Sequence, residues 1–348
     1  MNSFNKRSYS CDTVKSLLFI TLLCIIFLSV AFADMDYSVF SFSHLFDKAD
    51  CVVSGTVVSC ANDEQDWRMT VDVEDVLYGT AASSIKVISP FVNGSFREDE
   101  AYLGEGQRCI LFLKKNGDIY NIVNGIAGVI KPETKDDVKT VAFEYEKNPA
   151  LFSKENMSAM IKLYESLHEN ETKKRLLECM KGKYSNEEAP FLLTLLDSGD
   201  PYLQMYAAVQ SGFAKIEDLR HAIESLCVST NNVALRSESL FAIAQYEDNN
   251  SIPIVRSFFD DPNSEVRSNA YFASGVIGSS EVAESLIERF NMESDYVMRM
   301  TIVSALGGIK DKQLIAKILP RLKVRETNEI VLRHIDFTIE KLDQRANQ

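Results

Sequence analysis

Four histidines, His44, His168, His221 and His334, are scattered along the 348-residue chain, and none has a second histidine at the spacing that lets one helix offer two ligands to zinc. No metal site is expected. Gly-x-Ser-x-Gly elbows, phosphate-cradling Walker loops and zinc-protease helix motifs are missing from the sequence. Gly104-Glu105-Gly106 begins like a dinucleotide loop, but Cys109 stands at the third glycine position, and a strand follows where a helix N-terminus would hold pyrophosphate. The acidic run Asp260-Asp261-Pro262-Asn263-Ser264-Glu265 lacks the central glycine and spacing of a calcium loop, and helix capping explains it better. Glu284 and Glu288 lie one turn apart on a helix, yet with 50 acidic residues in the chain such pairs are commonplace on solvated faces. The sequence therefore predicts no catalytic residue, no metal and no cofactor.

The elements that carry these residues begin with an export pattern. Lys6, Arg7 and Lys15 form a basic start, residues 17–30 an uncharged apolar run, and Ala31-Phe32-Ala33 a small-x-small cleavage site. Residues 1–33 are read as a signal peptide, which predicts a periplasmic or secreted protein; the alternative is a tether through an uncleaved signal anchor. Cleavage takes the formal charge from −13 to −15, because the segment holds three basic residues and one acid, Asp12. That balance disfavours nucleic acid and anionic membranes as partners. Five cysteines remain, Cys51, Cys60, Cys109, Cys179 and Cys227, so at least one has no partner within the chain. Cys179 and Cys227 fall in apolar helical patterns as small hydrophobes, and one disulfide among the other three is left open. Asn93, Asn156 and Asn170 begin glycosylation sequons.

Residues 34–145 read as a small β-barrel. Met69, Val71 and Val73 alternate with Thr70, Asp72 and Glu74, the pattern of a strand with one buried face. Further short strands are expected at 51–59, 85–88, 108–113 and 120–123, and Asn116-Gly117 predicts a tight hairpin between two of them. Residues 131–155 read as a polar connection with a short extra strand at 140–145, and residues 146–164 as linker and first helix. The stretches 49–58, 76–79 and 103–113 resemble the netrin-like domain, whose OB-type barrel is that of the tissue inhibitors of metalloproteinases. The resemblance implies an OB-like barrel and, as an alternative function, modulation of an exported protease. Those inhibitors start with a cysteine that chelates the protease zinc, whereas the cleaved chain would start Asp34-Met35-Asp36.

Residues 165–348 repeat. Gln204, Arg236, Arg267, Arg299 and Arg333 are 32, 31, 32 and 34 residues apart, and Gly212, Ala244, Gly275 and Gly307 each follow one of the first four by eight. Each unit reads as two helices and a turn; in the clearest, Asp261 is the expected N-cap with Pro262 at the first helical position. A weaker unit precedes them at 155–182. The period, the Asp-Pro turn and the Val-Arg pair resemble HEAT repeats, in particular the short bacterial type shared with the bilin lyases. The resemblance implies an α-solenoid in which Arg236, Asp261, Arg267, Asp295 and Arg299 are structural anchors. Lyase chemistry does not follow, because neither a barrel nor an export signal suits a cytoplasmic pigment reaction.

The fold class predicted is a multidomain β plus all-α chain, with the barrel first and the solenoid of helical hairpins after it. The function expected is a non-catalytic binding or scaffold protein for an unknown protein or peptide, with the second helices lining a concave surface. Helical phase points Arg220, Glu224, Arg256, Glu284, Glu288, Lys317 and Arg321 outward along that row.

Overall fold

The computed structural model describes residues 41–63, 66–90, 103–124 and 128–346. The predicted signal peptide and the sequon at Asn93 lie outside these residues. Helix α1 (Phe42–Lys48) starts on Ser41, whose hydroxyl accepts the His44 N–H, and leads into β1 (Cys51–Asp63). Strands β2 (Asp66–Gly79), β3 (Ser84–Pro90), β4 (Arg108–Asn116) and β5 (Ile119–Ile122) follow, with a two-residue β6 (Val129–Ile130) laid along β4. The order β1-β2-β3-β5-β4 returns to β1 through antiparallel β1–β4 pairing, and β3–β5 is the parallel pair. Five strands thus close into an OB-like barrel, which leaves no open edge within that ring.

The apolar run at 109–113 is continuous because β4 is buried on both faces. Cys109, Leu111 and Leu113 point into the barrel with Cys51, Val53 and Val57 of β1. Ile110 and Phe112 point the other way and join Val52 in a cluster that runs on through the helices. Phe46 sits at this junction, 5.1 Å edge-on to Phe112 and 4.9 Å stacked on Tyr145 by ring centroid. Trp67 closes the barrel interior, its indole N–H donating to the Leu103 carbonyl at 3.0 Å.

Two local expectations are corrected. The hairpin turn is Gly117-Asp118, with Asn116 paired to Ile119, and positive φ is taken by Gly117 alone, at 63°. Residues 140–145 are not a strand but part of helix α2 (Lys135–Lys147). Val138, Val141, Ala142 and Tyr145 recur at helical spacing and are buried against the barrel's outer side, so the 3.6-residue period prevails over the short β-branched stretch. Helices α3 (Met157–Ser166) and α4 (Asn170–Met180) form the weaker first unit. The turn between them is fastened by Asp137 of α2, whose carboxylate accepts the backbone N–H groups of His168 at 2.9 Å and Glu169 at 2.6 Å.

After α5 (Ala189–Leu196) the first helices of successive hairpins are α6 (Pro201–Ala214), α8 (Val233–Tyr246), α10 (Ser264–Ile277), α12 (Tyr296–Gly308) and α14 (Glu329–Ala346). The second helices are α7 (Glu217–Ser229), α9 (Ile252–Ser257), α11 (Ala283–Met292) and α13 (Lys312–Arg325). First helices stack at backbone distance. A Cβ on Gly212 would stand 2.7 Å from the Ala242 carbonyl oxygen, and one on Gly275 2.7 Å from the Ala305 Cα, so a side chain at either position would force two helices apart. The small residues of the repeat are therefore the contact points of one layer. Helix α6 begins as Asp200-Pro201 suggests, with the Asp200 carboxylate accepting from Tyr202 and Leu203. Helix α10 begins later than expected: Asn263, not Asp261, is its N-cap, and accepts from Glu265 and Val266.

Candidate functional site

Asp261 is displaced from capping because it has another partner. Arg236 of α8 reaches across the repeat boundary to its carboxylate at 3.0 Å, and donates also to the Thr230 carbonyl. Asp261 in turn accepts the Asn263 N–H at 2.8 Å, so the charge is held from two sides while almost fully buried. The same reach recurs one unit on. Arg267 donates to the Asp261 carbonyl at 2.9 Å and pairs with Glu293 at 3.5 Å, and Arg299 pairs with Glu326 at 3.3 Å. The acidic partners are thus Asp261, Glu293 and Glu326; Asp295 caps α12 through the Val297 N–H. Gln204 opens the series by donating to the Leu196 carbonyl, and Arg333 donates to the Glu329 carbonyl of its own helix. A hollow of about 240 Å³ beside this ladder is lined by Arg267, Glu293, Arg289 and Asp260, and these four form two ion pairs with each other.

The seven residues expected to face outward divide. Arg220 and Glu224 are buried, at 8% and 6% exposure, and this corrects their assignment to a free surface. Arg220 pairs with Glu217 at 2.6 Å, with Glu224 at 3.1 Å and with Asp248 at 3.0 Å, and the Ser251 hydroxyl donates to Glu224. Helical phase alone missed that α9 and its preceding turn close over this face of α7. Arg256, Glu284, Glu288, Lys317 and Arg321 are exposed, and none has an intramolecular hydrogen bond or ion pair among the described residues. Arg321 also lines a groove of about 400 Å³ between α11 and α13, whose floor is Ile287, Ile318 and Leu322. Val324, 87% exposed, stands on its rim.

The first-helix layer carries a second unabsorbed feature. Phe213 of α6, Phe241 of α8 and Phe272 of α10 form a run of rings, 5.6 Å apart and edge-on at the first step, 5.9 Å apart and stacked at the second. Phe213 is 57% exposed. Glu238, one turn before Phe241, is half-buried with no hydrogen-bond or ion-pair partner, and burial, reinforced by Glu265, pushes its carboxyl up to about 7. In the sequence only two of the three share a repeat position: Phe241 and Phe272 follow Arg236 and Arg267 by five residues, whereas Phe213 follows Gln204 by nine.

Among the described residues, one serine–histidine contact and four buried thiols carry potentially reactive groups. The Ser304 hydroxyl lies 2.7 Å from His334 Nε2, but Ser304 sits inside α12, where backbone N–H groups are already paired and no donors converge on a developing oxyanion. Burial pushes the thiols of Cys51, Cys109 and Cys179 up to about 11 and that of Cys227 to about 12, which keeps them protonated and poorly nucleophilic at neutral pH. The five cysteines among the described residues are free thiols. Among the described residues no group of three or more His, Cys, Asp or Glu is placed to hold a metal, and no helix is long and apolar enough to cross a membrane.

With this geometry in view, a family model described as HEAT repeats matches residues 216–307, which span α7 to α12. The hairpins are HEAT-like repeats. The chain also aligns with a solved structure, the complex of CpcE and CpcF of phycocyanin lyase from Nostoc sp. PCC7120. The TM-score is 0.34 and the identity 16%, over 59% of this chain and 89% of that one. No curated protein matches the chain.

Proposed function

We propose that the chain is a non-catalytic, exported scaffold that binds a protein or peptide along its second-helix row. The observation that carries this reading is the contrast between two sets of charges on the HEAT-like solenoid. Charges that recur with the repeat are consumed by one another, as in Arg236–Asp261, Arg267–Glu293 and Arg299–Glu326. Those that do not recur, Arg256, Glu284, Glu288, Lys317 and Arg321, stay exposed and unpaired among the described residues, and Arg321 lines the α11/α13 groove. Both signs are present, so a partner with mixed charge and an apolar anchor for the Ile287–Ile318–Leu322 floor suits this row. Export rests on the basic start, apolar run and Ala-x-Ala end of residues 1–33.

The test is affinity capture from the native envelope or medium, using the wild-type chain and a variant with all five exposed residues changed to alanine. A protein retained by the first and lost by the second, with both folded by circular dichroism, supports the row. Equal capture by both refutes it.

A further inference from the structure

We infer that the first-helix face of α6, α8 and α10 is a separate docking surface for a basic amphipathic segment, with the phenylalanine row taking its apolar side and Glu238 one of its cations. The aromatic rings are in contact with one another from repeat to repeat, at 5.6 Å and 5.9 Å, so they form one continuous strip and not three isolated side chains. Met205 and Val209, both half-buried, stand about two turns and one turn before Phe213 on α6.

The charge pattern decides the kind of occupant. Helix α6 has no charged side chain at all, and Glu265, the group on α10 that acts on Glu238, is itself acidic and accepts a hydrogen bond from Ser237. A carboxylate placed on an apolar strip beside a second acid, without a cation of its own, is poorly solvated and poorly neutralised. A lysine or arginine from a partner corrects both faults and also finds ring faces on which to rest. An acidic or purely apolar segment leaves Glu238 worse off than water does. This surface is independent of the second-helix row: it lies on the other layer of the hairpins and uses none of the same residues.

The test is fluorescence anisotropy of two labelled 18-residue helical peptides, one of leucine and lysine, the other of leucine and glutamate, titrated with the whole chain. The leucine–lysine peptide is expected to bind and the leucine–glutamate peptide not to. Glu238→Gln is expected to weaken binding about tenfold, the scale of one charge-assisted hydrogen bond, and Phe241→Ala to weaken it as well. Glu284→Gln, on the other layer, controls for the net negative charge and should leave binding unchanged, as should the five-alanine variant of that layer. If Phe241→Ala does not fold, the near-isosteric Glu238→Gln decides the matter alone. Wild-type affinity in Glu238→Gln, equal binding of both peptides, or no binding of the basic one overturns the inference.

Discussion

Replacing Glu238 by glutamine should stabilise the protein, and should do so only above acidic pH. Burial raises the Glu238 carboxyl from 4.5 to about 7, so the folded state resists the ionisation that the unfolded chain accepts. For an acid raised in this way the sign is opposite to that of a paired carboxylate. There is no penalty while both states are protonated, and a growing one as pH climbs from the unfolded value to the folded one; above about 7 it is constant. At about 1.4 kcal/mol per unit the full penalty is about 3 kcal/mol, of which less than about 1 kcal/mol is present at pH 5. Glutamine carries no proton to lose and occupies the same space. Urea unfolding of the two proteins at pH 5 and pH 8 should therefore show the advantage of Glu238→Gln growing by about 2 kcal/mol between them. Groups common to both proteins cancel in the difference. An advantage that is the same at both pH values, or a glutamine variant that is less stable at pH 8, would refute the reasoning.

Two further perturbations test the stacking. Gly275→Ala should lower stability by about 1–3 kcal/mol by thermal or urea unfolding, although alanine is the better helix former, because the new Cβ meets the Ala305 backbone and no side chain can yield; a gain of stability would show that the helices separate at little cost. Arg236→Ala should cost about 3 kcal/mol by leaving the Asp261 carboxylate buried without its cation, whereas Arg333→Ala, at an exposed residue that bonds to its own helix, should stay within about 0.5 kcal/mol. Equal effects at the two positions would mean that the ladder adds nothing beyond the helices themselves.

The solenoid was legible because its information is periodic: Gln204, Arg236, Arg267 and Arg299, each with a small residue eight positions on, recur every 31 or 32 residues and report the same packing event repeatedly. The barrel was legible from alternation and turns, down to the apolar strand 108–113. What misled was context that a single helix cannot show. Arg220 and Glu224 occupy an outward phase of α7, but the turn before α9 brings Asp248 and Ser251 over them. Thr140 to Tyr145 has strand-like composition in isolation, and becomes helical where the outer side of the barrel offers a surface to cover. Asp261 looked like a cap because Asp-Pro usually is one, yet an arginine 25 residues earlier competed for it. The phenylalanine row was hidden for the opposite reason: Phe241 and Phe272 share one position in the repeat, but Phe213 reaches them from a position four residues later in its own unit.

Strands β1 and β4 serve two interiors at once, with Val53 and Leu111 on one side and Val52, Ile110 and Phe112 on the other. The barrel therefore cannot be treated as an interchangeable cassette. A fragment ending after β5 would carry Phe112, Ile110 and Phe46 to the surface as a sticky patch, and grafting the barrel onto another solenoid would need those residues matched by a new α2. Sequence drift in the two halves is coupled at this seam: a change in Phe112 must be answered by Phe46 or Tyr145, from elements on either side of it in the chain.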